Sequence, residues 1–317
     1  MTRQWCERWP LGEKFETPDG CVRWASFGEG DPVVLLHGSP FSSYIWRDMA
    51  PALARTRKVY VWDLLGFGQS EQRQGQDVGL AAQARIFADL LTHWGLGCTE
   101  RSGRSGHSGH SDRSGRAGHS SHTGHSGHEG HSARPSVVAH DVGGAVALRA
   151  LLLEGAEYAD LTLVDAVGGG EWGTGYFKLI RENAHVFEQL PDYAHEALVA
   201  SHLRHATHTG YGPGVLDAYI DPWRGAEGQA AFYRQYRQFA QSQTDELEPL
   251  LGKVTLPTHI IWARQDRLLP PEFADFLRTR IPHADLTWVD DAGHTIQEDA
   301  PAQLLSHVTA GLRTSPI

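Results

Sequence analysis

No apolar run in the chain approaches the ~18 residues that a membrane span needs, and the pattern G-x-S-x-G occurs nowhere. The first absence excludes a transmembrane helix. The second excludes a serine on the sharp strand-to-helix turn where many hydrolases hold their nucleophile. Cysteine is scarce: Cys6, Cys21 and Cys98 are an odd number without CxxC spacing, so neither a disulfide framework nor a thiolate metal site is expected. The opening MTRQWCERWPLGEKF lacks the continuous apolar stretch of a secretory signal, and a cytoplasmic location is expected. Basic residues are in deficit, with 28 Lys and Arg against 38 Asp and Glu for a net charge of −10. Residues 99–134 carry +2 of their own and leave −12 on the other 281. A surface of that sign repels phosphate backbones, which argues against nucleic acid as a partner.

What is present is a 317-residue chain, 40% hydrophobic and 21% charged, long enough for a full core and a large insertion. The insertion is visible at 98–135, a low-complexity His/Gly/Ser-rich tract with no Leu, Ile, Val or aromatic residue before Pro135. Such a composition cannot bury enough apolar surface to offset the entropy of ordering, so disorder is expected. His119, His122, His125, His128 and His131 recur at a spacing of three, a pattern that takes up divalent metal adventitiously without implying a metal centre.

Elsewhere short apolar runs alternate with helical periodicity. Strands are expected at 32–38, 58–63, 136–141, 161–167, 259–266 and 285–289, with helices at 44–54, 80–94, 144–153, 271–281 and 302–312. That alternation predicts an α/β fold, a mostly parallel sheet flanked by helices. Before it, FETPDGCVRWASF places a Pro-Asp-Gly turn between two candidate strands and reads as an antiparallel hairpin at the sheet edge. Residues 167–249 break the alternation and hold 12 of the 30 aromatic residues. They are expected to form a helical cap over an apolar pocket, between a first core part at 1–166 and a second at 250–317.

The segment SVVAHDVGGAVAL at 136–148 carries the most chemistry. A strand, then Asp141 among the small residues Ala139, Gly143 and Gly144, then a helix, has the form of a nucleophile elbow. Asp141 could equally cap that helix. An aspartate in this place attacks an sp3 carbon by displacement and becomes an ester that water must hydrolyse. His294 follows the strand at 285–289 on a glycine-bearing loop, and Asp266 ends HIIWARQD one strand earlier. The order Asp141, Asp266, His294 is that of α/β-hydrolase triads, with the histidine activating water and the acid fixing its tautomer. Asp165, at the end of LTLVD, is the alternative acid. The loop His37-Gly38-Ser39-Pro40 offers the Ser39 amide, which with that of Val142 can form an oxyanion hole, and Ser39–Pro40 is a candidate cis peptide.

On these residues the chain resembles the aspartate-nucleophile branch of the α/β-hydrolase superfamily, the epoxide hydrolases and haloalkane dehalogenases. HGSPFSSYIWR at 37–47 and GHTIQEDAP at 293–301 are similar to dehalogenase sequences, and DLLGFGQS at 63–70 is a general marker of the fold. The resemblance implies no cofactor and no metal, only a small apolar organic substrate and water. It places His37, Pro40, Trp172 and Tyr176 around that substrate. Dehalogenases carry a tryptophan directly after the nucleophile, and a further halide donor where this chain has Ser39; Val142 follows Asp141 here. Epoxide hydrolases share the His-Gly-X-Pro loop and use cap tyrosines as acids, one in an aromatic-Tyr-Arg context that Phe232-Tyr233-Arg234 matches. Tyr233 is therefore the expected acid, with Tyr176 or Tyr193 as its partner. Epoxide opening is the first expectation and dehalogenation the second. A metal-binding or interaction protein on a retired hydrolase fold is the alternative of another class.

Overall fold

The computed structural model describes residues 4–97, 133–173 and 175–313. Nearly all of the His-rich tract, with its expected disorder and metal uptake, lies outside the described residues. Among those described, no helix is long and apolar enough to cross a membrane.

An eight-stranded sheet runs through the molecule in the order β1-β2-β4-β3-β5-β6-β7-β8. The hairpin expected at its edge is there: β1 (Glu13–Thr17) pairs antiparallel with β2 (Gly20–Phe27), which pairs antiparallel with β4 (Lys58–Trp62). The remaining strands, β3 (Pro32–Leu36), β5 (Ser136–His140), β6 (Asp160–Val164), β7 (Thr258–Ala263) and β8 (Asp285–Val289), extend the sheet in parallel from β4. Every residue of β5 and β6 is buried, because helices cover both faces. β1 at the margin is largely exposed.

Helix α1 (Leu80–His93) buries Leu80, Ala84, Phe87 and Leu91, a stripe at helical spacing. It packs against α2 (Val142–Leu153), whose Gly143, Gly144, Ala145 and Ala147 leave no bulk to hold the helices and sheet apart. Phe87 also stacks on Trp62 at 5.9 Å between ring centres, and burial of each such ring is worth about 2 kcal/mol. The expected helix at 44–54 is instead two short pieces, a 3-10 turn at Ser43–Trp46 and an α turn at Ala50–Leu53. Pro51 starts the second turn and has no N–H to continue the first. The elements at 80–94, 144–153, 271–281 and 302–312 fall within about two residues of expectation.

Between β6 and β7 the chain runs through α3 (Tyr176–Phe187), α4 (Asp192–Ala206), a short helix at Val215–Ile220 and α5 (Gly225–Gln238) before returning to the sheet. α6 (Glu272–Arg280) and α7 (Pro301–Gly311) flank the last strands.

Ser39, Asp141, Asp165, Asp266 and His294 all lie just beyond the carboxyl ends of parallel strands. The tract between residues 97 and 133 leaves and rejoins the fold at the other edge, where the Gly97 amide donates to the Ala133 carbonyl at 3.0 Å and Ser136 begins β5. Replacing residues 98–132 by a short Gly-Ser linker should leave the melting temperature and turnover nearly unchanged, because loop closure varies by only ~0.6 kcal/mol per doubling of length. Thermal unfolding and rate measurements on the shortened chain check this, and loss of activity in a folded variant would place the tract in the site.

Candidate active site

Asp141 sits between β5 and α2 with φ 52° and ψ −128°, a conformation that L-residues rarely adopt. That strained turn lifts its carboxylate above the sheet edge. Oδ2 accepts the Ser39 amide at 2.7 Å, and the Val142 amide donates to the same carboxylate. Two amides expected to form an oxyanion hole thus hold the carboxylate that would later carry the oxyanion. The loop can come so close because residue 38 is glycine: a Cβ there would collide with the Asp141 side chain. A Cβ on Gly144 would run into Ala166, so α2 also needs its glycine to begin where it does. The Ser39–Pro40 peptide is cis.

His294 lies on the loop after β8, fully enclosed. Its Nδ1 donates to Asp266 Oδ2 at 2.8 Å, while Nε2 stands 3.8 Å from Asp141 Oδ1. Asp266 is itself fixed by the Leu268 and Leu269 amides on Oδ1, at 2.8 and 2.9 Å. Asp165 is buried nearby with φ 40°. Its Oδ1 accepts the Ala263 amide and its Oδ2 has no partner. Burial, reinforced by the Asp266 charge, pushes its carboxyl well above the usual carboxylate range. Of the two acids, Asp266 is the one in contact with the imidazole and Asp165 is the one whose ionisation burial opposes.

Burial raises the Asp141 pKa to about 6, although His294 and the two amides pull the other way. For His294 the order is reversed: burial lowers its pKa, but Asp266 first and Asp141 after it outweigh that and raise it to about 9. The free site therefore holds a carboxylate–imidazolium pair at neutral pH. His140, next to Asp141, is kept neutral by burial and by His294, and its Nε2 donates to the His294 carbonyl at 2.9 Å. It fixes the histidine's backbone from below.

A cavity of about 960 Å³ opens over Asp141 and His294, walled by both the sheet edge and the helices between β6 and β7. That is ample for a small organic molecule. Trp172, Tyr176, Phe177, Leu198, Leu268 and Tyr236 make its apolar surface. A second, more polar cleft of about 1210 Å³ lies at the opposite ends of β6 to β8 and holds none of these groups. Among the described residues no three His, Cys, Asp or Glu side chains come together as a metal site.

Several expected site residues stand elsewhere. Tyr233 does not line the cavity. Its hydroxyl donates to His195 Nδ1 at 2.9 Å, and His195 Nε2 donates in turn to the Trp223 carbonyl, so the phenolic proton is tied up inside the helical segment. His37 is buried beneath the loop, Nδ1 bonded to the Gly38 carbonyl and Nε2 accepting the Leu64 amide; it shapes the loop and faces no cavity. Pro40 accepts the Trp223 indole N–H on its carbonyl and is also off the wall. Tyr193, the other partner weighed, is 79% exposed. Trp172 and Tyr176 do line the cavity, and Trp172 spends its N–H on Thr244.

Tyr236 and His202 went unnoticed in the sequence. Tyr236, one helical turn after Tyr233 on α5, points into the cavity, close enough to Asp141 for that charge to add to the upward shift that burial imposes on its phenol. The buried Tyr176 hydroxyl beside it is near enough to interact with the Tyr236 phenol, raising Tyr236 and partly offsetting the upward shift that burial gives Tyr176. His202 stacks on Tyr176 at 4.6 Å, and burial lowers its pKa to about 3, so it stays uncharged. A signal existed for it: Leu198, Ser201, His202 and His205 follow the i, i+3, i+4, i+7 spacing of one helix face.

The geometry separates the two acids by experiment. Asp266→Asn should slow hydrolysis of an Asp141 ester on the order of 10³-fold or more, since the amide imposes the wrong tautomer on His294. Asp165→Asn alters a group that does not touch the imidazole and whose charge burial already disfavours, and should cost less than about tenfold. Single-turnover rates of both variants decide it, and the reverse ranking would give the role to Asp165.

Comparison with known proteins agrees with this architecture. Residues 33–307 match the model of the alpha/beta hydrolase family. The crystal structure of an alpha/beta hydrolase fold protein from Burkholderia ambifaria is 36% identical, with a TM-score of 0.81 over 95% of this chain and 98% of that one. A putative epoxide hydrolase from Pseudomonas aeruginosa superposes with a TM-score of 0.71 at 21% identity, covering 94% of this chain and 93% of its own. Haloalkane dehalogenase 2 of Mycobacterium tuberculosis is 33% identical, but over only 26% of this chain and 29% of its own length. With the elbow, the strand order and the family match in agreement, the chain belongs to the alpha/beta hydrolase family.

Proposed function

We propose that this protein is an epoxide hydrolase that works through a covalent ester on Asp141. The observation that carries the reading is one cavity in which a carboxylate seated on two amides and paired with an imidazolium shares its space with two neutral phenols, Tyr176 and Tyr236. Tyr236, with Tyr176, takes the acid role that the sequence suggested for Tyr233. Asp141 attacks a ring carbon, the C–O bond breaks, and the departing oxygen takes a proton from a tyrosine. Esterification removes the Asp141 charge, and with it one of the two carboxylates holding the His294 proton. The imidazolium then returns that proton to the tyrosinate and becomes the base. Neutral His294 next removes a proton from water, which attacks the ester carbonyl carbon; the Ser39 and Val142 amides hold the oxyanion, the bond to the product oxygen breaks, and that alkoxide leaves with the proton of the new carboxylic acid, so Asp141 is again a carboxylate beside a restored imidazolium. Protons balance over the cycle: an epoxide and one water give a diol.

Halide release fits the site less well. Val142 supplies no indole N–H after the nucleophile, Trp172 already bonds Thr244, and the Ser39 hydroxyl already bonds Gln235. Among the described residues no tryptophan N–H is left facing the cavity. The fold neighbours do not decide between the two chemistries, because fold alone does not fix a reaction.

His294→Gln should stop the second step and trap the ester, so intact mass reports the chemistry. An epoxide adds its whole mass to the peptide containing Asp141, whereas an alkyl halide adds the alkyl group alone and releases halide. We expect the first, abolished by Asp141→Asn. If neither substrate class labels Asp141 in folded protein, the mechanism is wrong and a non-catalytic role on a hydrolase fold takes its place.

The pH profiles of the two steps follow from the pair. Below about 6 Asp141 is protonated and cannot attack; above about 9 His294 has no proton to return to the tyrosinate once the ester has formed. Rapid-quench rates of ester formation in the unaltered protein should fall on the acid side, and steady-state turnover on both sides of that window, with limbs that belong to the pair rather than to either residue. A rate of ester formation flat from pH 5 to 8, the range over which Asp141 is expected to ionise, would contradict the assignment.

A further inference from the structure

The charges around the cavity are strongly one-sided. The chain has ten more acidic than basic residues, yet Asp141 is the only carboxylate among the described residues that line the cavity, and two arginines line it, Arg204 and Arg267. Both are exposed at the rim, and neither has a carboxylate within ion-pair distance among the described residues. Many arginines elsewhere pair with acids, as Arg47 does with Glu298 and Arg149 with Glu246. Others, such as Arg55 and Arg278, are also without an acid partner among the described residues; what distinguishes Arg204 and Arg267 is that both line the cavity. Arg204 and His205 lie in the last turn of helix α4 on the segment between β6 and β7, while Arg267 lies in the loop after β7, so the two cations come from separate parts of the fold. Next to them the wall turns apolar through Leu198, Leu268 and Phe177.

We propose that the substrate is amphipathic, an organic epoxide carrying a carboxylate remote from its ring, with the carboxylate held at the rim by Arg204 and Arg267. This rests on the reading of the cavity as the substrate site. An anion close to the reacting carbon would repel Asp141, so the two ends of the molecule must be separated by an apolar body, and the wall provides for one. The planar guanidinium fork suits a carboxylate, and a rim charge acts on capture more than on the bond-breaking step. The sequence's expectation of a wholly apolar substrate then holds for the body of the molecule and not for its end.

Phenylbutanoate and phenylbutanamide, unreactive and matched in shape, test this by calorimetry on the full chain. The carboxylate should bind roughly tenfold more tightly than the amide at low ionic strength, the gap should narrow in high salt, and Arg204→Gln/Arg267→Gln should abolish it. Equal affinities, no binding of either, or a preference that survives the double substitution would overturn the proposal. A second arm, in the ester-trapping His294→Gln variant, uses an aryl-alkenoic acid epoxide and its amide as labels for Asp141. Labelling without a carboxylate preference removes the rim site and leaves the hydrolase reading. A carboxylate preference without labelling removes the hydrolase reading and leaves the rim site.

Discussion

A carboxylate taken out of water loses hydration worth several kcal/mol even after the surroundings relax. Asp141 recovers part of this from the Ser39 and Val142 amides and part from the His294 imidazolium, and its pKa of about 6 records that the recovery is incomplete. The incompleteness suits a nucleophile. A carboxylate fully satisfied by donors would be a poor attacker, and one left bare would be protonated at neutral pH. The strained backbone of residue 141, the missing side chain at Gly38 and the closeness of α2 to the sheet all follow from holding that one group in place.

The loop that presents the Ser39 amide is also where the helical segment is fastened to the sheet. The Ser39 hydroxyl bonds Gln235 on α5, the Pro40 carbonyl accepts the Trp223 indole, and Phe41 packs edge-on against Tyr219 at 5.2 Å. Tyr219 in turn bonds Glu298, which holds Arg47 at 2.7 Å. Three consecutive residues thus support the nucleophile on one side and carry the helices on the other. Any shift of those helices is felt at the amide that holds Asp141, which is a physical reason for the loop to be buried throughout rather than mobile at the surface.

The sheet was legible because its parallel strands are buried on both faces and read as apolar runs, and because Pro-Asp-Gly marks the edge hairpin. The candidate nucleophile, histidine and acid stood out because each is a polar residue stranded at the end of such a run. The sequence left Asp165 and Asp266 open, since both end strands, and only the tertiary structure shows which carboxylate reaches the imidazole. Side-chain direction on α5 was not legible. Tyr233 and Tyr236 are each followed by arginine in the same helix, and three residues of helical rotation decide that one phenol meets His195 and the other the cavity. His37 misled for a similar reason: the motif names the residue but not whether its ring faces the substrate or props the loop.

What separates the chemistries available to such a fold is the fate of the departing atom. A halide leaves as an ion and needs N–H donors that move with it, while an epoxide oxygen stays tethered and needs a proton in place. Tyr176 and Tyr236 suit the second need because burial shifts both upward and keeps them protonated beside the Asp141 charge. A phenol of raised pKa is a weak acid toward water, but toward an alkoxide forming in the same cavity it remains the stronger acid. In the proposed reaction the burial that makes Asp141 hard to ionise also stores the proton that its attack requires, and His294, relieved of one carboxylate by the ester, restores it. One pocket sets all three ionisations, and the proposed steps follow the order in which they are released.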